Sequence, residues 1–139
     1  MMSGPILLDT CSALFIMNNE WMRPEAVSAI DRASDRNEKI FVSPITAWEV
    51  GKLAEKGRFK SNYSPQRWLA LLLARPGIAV AGMPPHVLLE SSHLPGEMNG
   101  DPADRIIAAT AREFGFTVMT RDKALLDYGK KGYMSVLQS

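Results

Sequence analysis

Short continuous apolar runs alternate along this chain with longer segments in which apolar residues recur every three or four positions. The runs "PILLD" (5–9), "KIFVS" (39–43), "IAVAG" (78–82), "FTVMT" (116–120) and "YMSVL" (133–137) have the length and uninterrupted character of buried strands. Between the first two, "TCSALFIMNN" (10–19) reads as a short helix with Thr10 or Ser12 as its cap. "RPEAVSAIDRASDR" (23–36) follows as an amphipathic helix entered through Pro24, with Ala26, Val27, Ile30 and Ala33 on its apolar face. "SPITAWEVGKLAEKG" (43–57) has Ser43 as cap, Pro44 at the first helical position and Gly57 just past the end. "SPQRWLALLLARPG" (64–77) repeats that grammar. Further short helices are expected near "PPHVLLESS" and "RDKALLDYG", and a longer one after Gly100. Strands alternating with helices point to an α/β fold whose short, mainly parallel sheet is covered on both faces. In such folds ligands bind beyond the carboxyl ends of the strands.

That rule singles out the acidic residues. Asp9 closes the first strand, and Asp122 stands three residues after "FTVM". Each has an ordinary reading as a helix cap or turn residue; if the strands are parallel neighbours, both also face one crevice. Glu49 lies with Ile45, Trp48, Lys52 and Leu53 at i, i+3, i+4, i+7 and i+8, the spacing of one helix face, so it sits on or beside a buried stripe. A carboxylate there needs a cation, a metal ion or a raised pKa. In "GDPADRIIAATAREFG", Asp101 before Pro102 is ordinary N-cap grammar. Asp104 shares an inward-leaning face with Ile107, Ala108 and Ala111, and suits a ligand-holding role better than a capping one. Oxygen donors without accompanying His or Cys suit magnesium or manganese rather than zinc, and such sites serve phosphoryl chemistry.

Composition narrows the picture further. The chain has 139 residues, the length of a single domain (1–139), with 46% hydrophobic residues, one cysteine and a formal net charge of +1. There is no global basic field of the kind that marks many nucleic-acid binders. A local one exists: Lys52, Lys56, Arg58, Lys60 and Arg67 outweigh Glu55, and read either as a solvated helix end or as a phosphate-contacting patch. The apolar runs are too short to cross a bilayer, and "MMSGPILLD" lacks the basic start of a secretory leader, so a cytoplasmic protein is expected. The lone Cys11 excludes an internal disulfide framework and a cysteine zinc cluster. His86 and His93 read as surface or loop histidines, and Trp21, Trp48 and Trp68 as core or dimer-contact residues.

"LLDTCSALF", "ITAWEVGKLAEKGRF", "LPGEMNGDPADRIIAATAREFG" and "VMTRDKALLDYG" resemble, in that order, the four acidic blocks of the PIN-domain family, most closely its VapC-type toxin ribonucleases. The resemblance spans nearly the whole chain. It implies a three-layer α/β/α domain and an endoribonuclease dependent on Mg2+ or Mn2+. It also implies a homodimer, and a cognate VapB-like antitoxin whose tail blocks the active site in a hetero-oligomer. By that resemblance the acidic positions fall on Asp9, Glu49, Asp104 and Asp122 as metal ligands and catalytic groups. Thr120 is the accompanying hydroxyl; Asp101 and Thr10 are nearby residues of lower weight. Lys52, Lys56, Arg58 and Lys60 are candidates for RNA contact. Many relatives carry histidine where this chain has Asn99, and serine where it has Cys11. An aspartyl-phosphate enzyme, which also places Asp after its first strand, normally has a second Asp two residues on, and "DTCSA" supplies none. A catalytically silent module that binds nucleic acid or an antitoxin is the alternative from another class.

Overall fold

The computed structural model describes residues 4–139, so the first three residues of the expected 1–139 domain, part of the stretch read for a leader, lie outside the described residues. Five strands form one sheet: β1 (Ile6–Leu8), β2 (Ile40–Val42), β3 (Ile78–Val80), β4 (Thr117–Thr120) and β5 (Ser135–Gln138). Their order is β3-β2-β1-β4-β5, and all four pairings are parallel. The chain steps outward from β1 to β3, then returns to the other flank of β1 with β4. The β1/β4 boundary is therefore the switch point of the sheet, where an open parallel sheet leaves a crevice beyond its carboxyl ends.

Side chains alternate across the strands and divide the core into two layers. Ile6, Leu8, Ile40, Val42 and Met119 face α1 (Thr10–Met17), α2 (Pro24–Asp35) and α4 (Pro65–Ala74), whose Ala13, Ala26, Ala29, Trp68 and Leu72 are buried against them. Leu7, Phe41, Val118 and Val136 face α6 (Pro102–Phe114) and α7 (Lys123–Lys130), which contribute Ala103, Ile107, Ala108, Ala111, Leu125 and Tyr128. The small residues of α2 and α6 let those helices sit close to the sheet. α3 (Ile45–Glu55) spans both layers, Val50 in one and Ile45 in the other, and α5 (Pro85–Glu90) packs on α6. α6 ends at Gly115, whose φ of +72° is the left-handed conformation that glycine adopts without strain.

Several local expectations need correction. Asp9, rather than Thr10 or Ser12, caps α1, its carboxylate accepting from the Ser12 N–H at 2.8 Å. Ser12 Oγ instead donates across the sheet to the Met119 carbonyl. On α2 the buried positions are Ala26, Ala29 and Ala33, while Val27 is exposed. The buried face of α3 carries Ile45, Thr46 and Val50, with Trp48 and Lys52 outside it. Ser43 Oγ accepts from the Ile45 N–H as the cap reading requires, although the helix begins one residue after Pro44. The last strand starts at Ser135, because Tyr133 turns aside to stack on Tyr128 at 4.8 Å between ring centres.

Candidate active site

The carboxyl ends of β1 and β4 bring the predicted acids together. Asp9 is 4% exposed. One of its carboxylate oxygens accepts the α1 capping bond, and the other accepts from Thr120 Oγ1 at 2.6 Å. The Thr120 hydroxyl also accepts from the Asp122 N–H at 2.9 Å, so one buried threonine fixes Asp9 and Asp122 relative to each other. Asp122 caps α7 through the Leu125 N–H, and Asp101 caps α6 through the Ala103 N–H. Three of the acids are thus N-caps, and the positive ends of α1, α6 and α7 are directed at carboxylates. Capping and ligand-holding prove compatible, since a cap engages one lone pair of a group that offers about four.

Glu49 is half-buried on α3 and accepts from Thr10 Oγ1, which is itself 3.1 Å from Thr46 Oγ1. Asp104 lies in the first turn of α6 and accepts from Asn99 Nδ2 at 3.3 Å. Cys11, although it reaches solvent, reports the convergence: partial desolvation and the fields of Asp9, Glu49, Asp122 and Asp104 push its thiol up to about 12. Among the described residues none of these acids has a salt-bridge partner. Among the described residues the ion pairs are Lys52–Glu55 and His86–Glu113, both elsewhere. The donor set is carboxylate and hydroxyl oxygen, which fits a hard divalent ion of the magnesium or manganese kind. Among the described residues the acids are neighbours within electrostatic reach rather than a closed ligand shell.

Lys52, Lys56, Arg58 and Lys60 are exposed along the end of α3 and the turn after it. Among the described residues they pair with none of Asp9, Glu49, Asp104 and Asp122, and Lys52 pairs with Glu55 instead. Lys52 lies over the Trp48 ring at 5.7 Å. Trp68 is wholly buried, whereas Trp21 and Trp48 are exposed, and both histidines lie at the surface. Sequence reasoning missed Thr46 and Arg105. Arg105 donates to three carbonyls of the segment before α6, partners that leave no signal in the pattern of side chains.

The sequence matches the PIN domain over residues 6–131. The chain belongs to the PIN domain family. It is 33% identical to ribonuclease VapC22 of Mycobacterium tuberculosis over 103 residues, covering 73% of this chain and 78% of that protein. Its fold is similar to VapBC2 from Rickettsia felis bound to a promoter DNA fragment, with a TM-score of 0.63 and 16% identity over 97% of this chain and 98% of that one. It is equally similar to DNA-bound VapBC from Salmonella typhimurium, with a TM-score of 0.62 and 21% identity over 99% and 98% of the two chains.

The acids of this PIN domain make its stability depend on pH. Desolvation, then the Asp122 charge, holds the Asp104 carboxyl at about 7 against 3.8 for a free side chain, while the Asn99 amide pulls the other way. Burial likewise raises Asp9 against the bonds from Thr120 and Ser12, and raises Glu49 against the bond from Thr10. Between these limits the folded, metal-free protein holds protons that the unfolded chain has released. The contribution of Asp104 to stability is therefore full below about pH 4 and lost as the pH rises through about 7. Melting temperatures in EDTA should fall from about pH 5 to about pH 8, whereas the stabilisation given by manganese should grow over the same range, because its ligands must be deprotonated. A metal-free melting temperature that climbs across this interval would contradict the raised carboxyls.

Proposed function

We propose that this PIN domain is a metal-dependent endoribonuclease, the toxin of a VapC-type toxin–antitoxin pair. The observation that carries the reading is the set of four acids, Asp9, Glu49, Asp104 and Asp122, near the switch point of the sheet, with no salt-bridge partner among the described residues. Those four are the residues that would hold Mg2+ or Mn2+. A bound ion of this kind lowers the pKa of water and offsets the negative charge that develops on the reacting phosphodiester. In the hydrolysis, a bond forms from a water oxygen to phosphorus, the bond from phosphorus to a ribose oxygen breaks, and that oxygen takes a proton.

The chain's own residues supply the framework for this step. Thr120 orients Asp9 and the backbone of Asp122, and Thr10 orients Glu49, so the oxygens are fixed before substrate arrives. RNA as substrate is supported by the relative named a ribonuclease, and a VapB-like partner by the likeness to VapBC assemblies. A homodimer and a cytoplasmic location complete the proposal; among the described residues no helix is long and apolar enough to cross a membrane.

The purified protein should cleave RNA with manganese or magnesium present and stop in EDTA. Cleavage that persists in EDTA would exclude the metal mechanism, and manganese binding without any cleavage would favour the silent module. Neutralising Lys56, Arg58 and Lys60 together should reduce the salt slope of RNA binding by up to about 2, at roughly 0.7 for each single-strand phosphate that no longer meets a cation. An unchanged slope would return this run to a solvated helix end.

A further inference from the structure

The segment joining α5 to α6, residues 91–101, delivers Asn99 and Asp101 to the acidic site, and side chains from elsewhere hold it in place. Arg105 Nε donates to the Ser91 carbonyl at 2.8 Å, while Nη1 donates to the carbonyls of Met98 and Asn99 at 3.2 and 3.1 Å. A single guanidinium thus ties both ends of the segment to the first turn of α6. In the middle, Tyr128 Oη donates to the Pro95 carbonyl at 2.6 Å. Gly96, with φ of +71°, passes so close to Tyr133 that a Cβ would lie 2.4 Å from its ring. At the far end the Asn99 amide donates to Asp104 Oδ2, the carboxylate one residue before Arg105. Arg105 and Asp104 therefore engage the two sides of one residue: the arginine holds the Asn99 backbone and the aspartate receives its side chain.

We infer that Arg105 is a positioning residue that acts through Asn99: by fixing the backbone of 98–99 it keeps the Asn99 amide on Asp104 and so sets the orientation in which Asp104 meets a divalent ion. The inference rests on the metal-site reading proposed above. The geometry requires a planar fork reaching carbonyls in two directions, which an ammonium group cannot reproduce, so shape rather than charge carries the effect. Partners that orient a ligand from behind typically matter by about 10- to 100-fold in metal affinity.

The test is isothermal titration of MnCl2 into the wild type, Arg105→Lys, Asn99→Ala and the double variant, well below the melting temperature of each, with kcat on RNA measured in parallel. Arg105→Lys and Asn99→Ala should each weaken manganese by about tenfold, the lower end of that range, and the double variant should be no weaker than either. Asn99 is exposed, so its variant keeps the test open even where the arginine variant folds poorly. Wild-type affinity in Arg105→Lys would overturn the inference by showing that charge suffices. A double variant whose loss is the product of the single losses would overturn it by separating the two residues. A wild type that takes up no manganese would overturn the metal-site reading itself, and this inference with it.

Discussion

Asp9→Asn is expected to melt in EDTA at or above the temperature of the wild type and to gain almost nothing from manganese. The amide keeps the shape of the side chain, and asparagine caps a helix about as well as aspartate, so α1 retains its bond from Ser12. The variant loses one of several like charges and the desolvation that raises the Asp9 carboxyl. Against this, the amide presents a donor to Thr120 where the carboxylate accepted one, which limits the gain. Manganese at about a hundredfold over its dissociation constant should stabilise the wild type by about 2.7 kcal/mol, on the order of ten degrees for a domain of this size. Asp101→Asn supplies the contrast: exposed and engaged in capping α6, it should preserve both the metal-free stability and most of the manganese response. Equal metal shifts in the wild type and Asp9→Asn would break up the shared site.

Gly129→Ala should destabilise the protein although it places a better helix former in α7. An added Cβ would fall 2.4 and 2.5 Å from the two Cγ atoms of Val136 and 3.0 Å from its Cβ. A β-branched side chain is stiff at χ1, so Val136 has little room to turn away, and the helix must move off β5. Overpacking of this kind costs about 1–3 kcal/mol, against about 1 kcal/mol gained from helix propensity. The net loss should be up to about 2 kcal/mol, or up to roughly 7 degrees for a chain of this length. The loss should shrink once Val136 is shortened: in a Val136→Ala background both Cγ atoms are gone and only the contact with the residue's Cβ at 3.0 Å remains, so the same change should cost clearly less. A thermal double-mutant cycle reads this directly, and equal losses in both backgrounds would show that the contact is not the cause.

Much of the fold is legible in the sequence because its helices start with strong punctuation. Pro24, Ser64-Pro65 and Asp101-Pro102 each open a helix where the grammar places one. The apolar runs become strands because continuous hydrophobicity is what a parallel sheet buried on both faces demands. Sequence and structure part where two elements compete for one residue. The pattern offers Asp9 as a strand-end ligand and Thr10 or Ser12 as the cap, yet the carboxylate caps α1 while the two hydroxyls turn to Glu49 and Met119, partners 39 and 107 residues away. The α3 stripe lies rotated by one position from its expected place, because Trp48 looks like a core residue by composition, and only the packing of Thr46 and Val50 reveals the buried side. The role of Arg105 is hidden because its partners are backbone carbonyls, which no sequence pattern advertises.

The bond from Thr120 to Asp9 joins residues 111 positions apart, and β1, the first strand made, lies beside one of the last. Synthesis runs in one direction, so Asp9 and Glu49 have been made while Asp104, Thr120 and Asp122 do not yet exist. A nascent chain holds half of the acidic group and lacks the hydroxyl that orients it. The acidic group is complete only when β4 lies beside β1, so a product of translation interrupted before Asp122 lacks it.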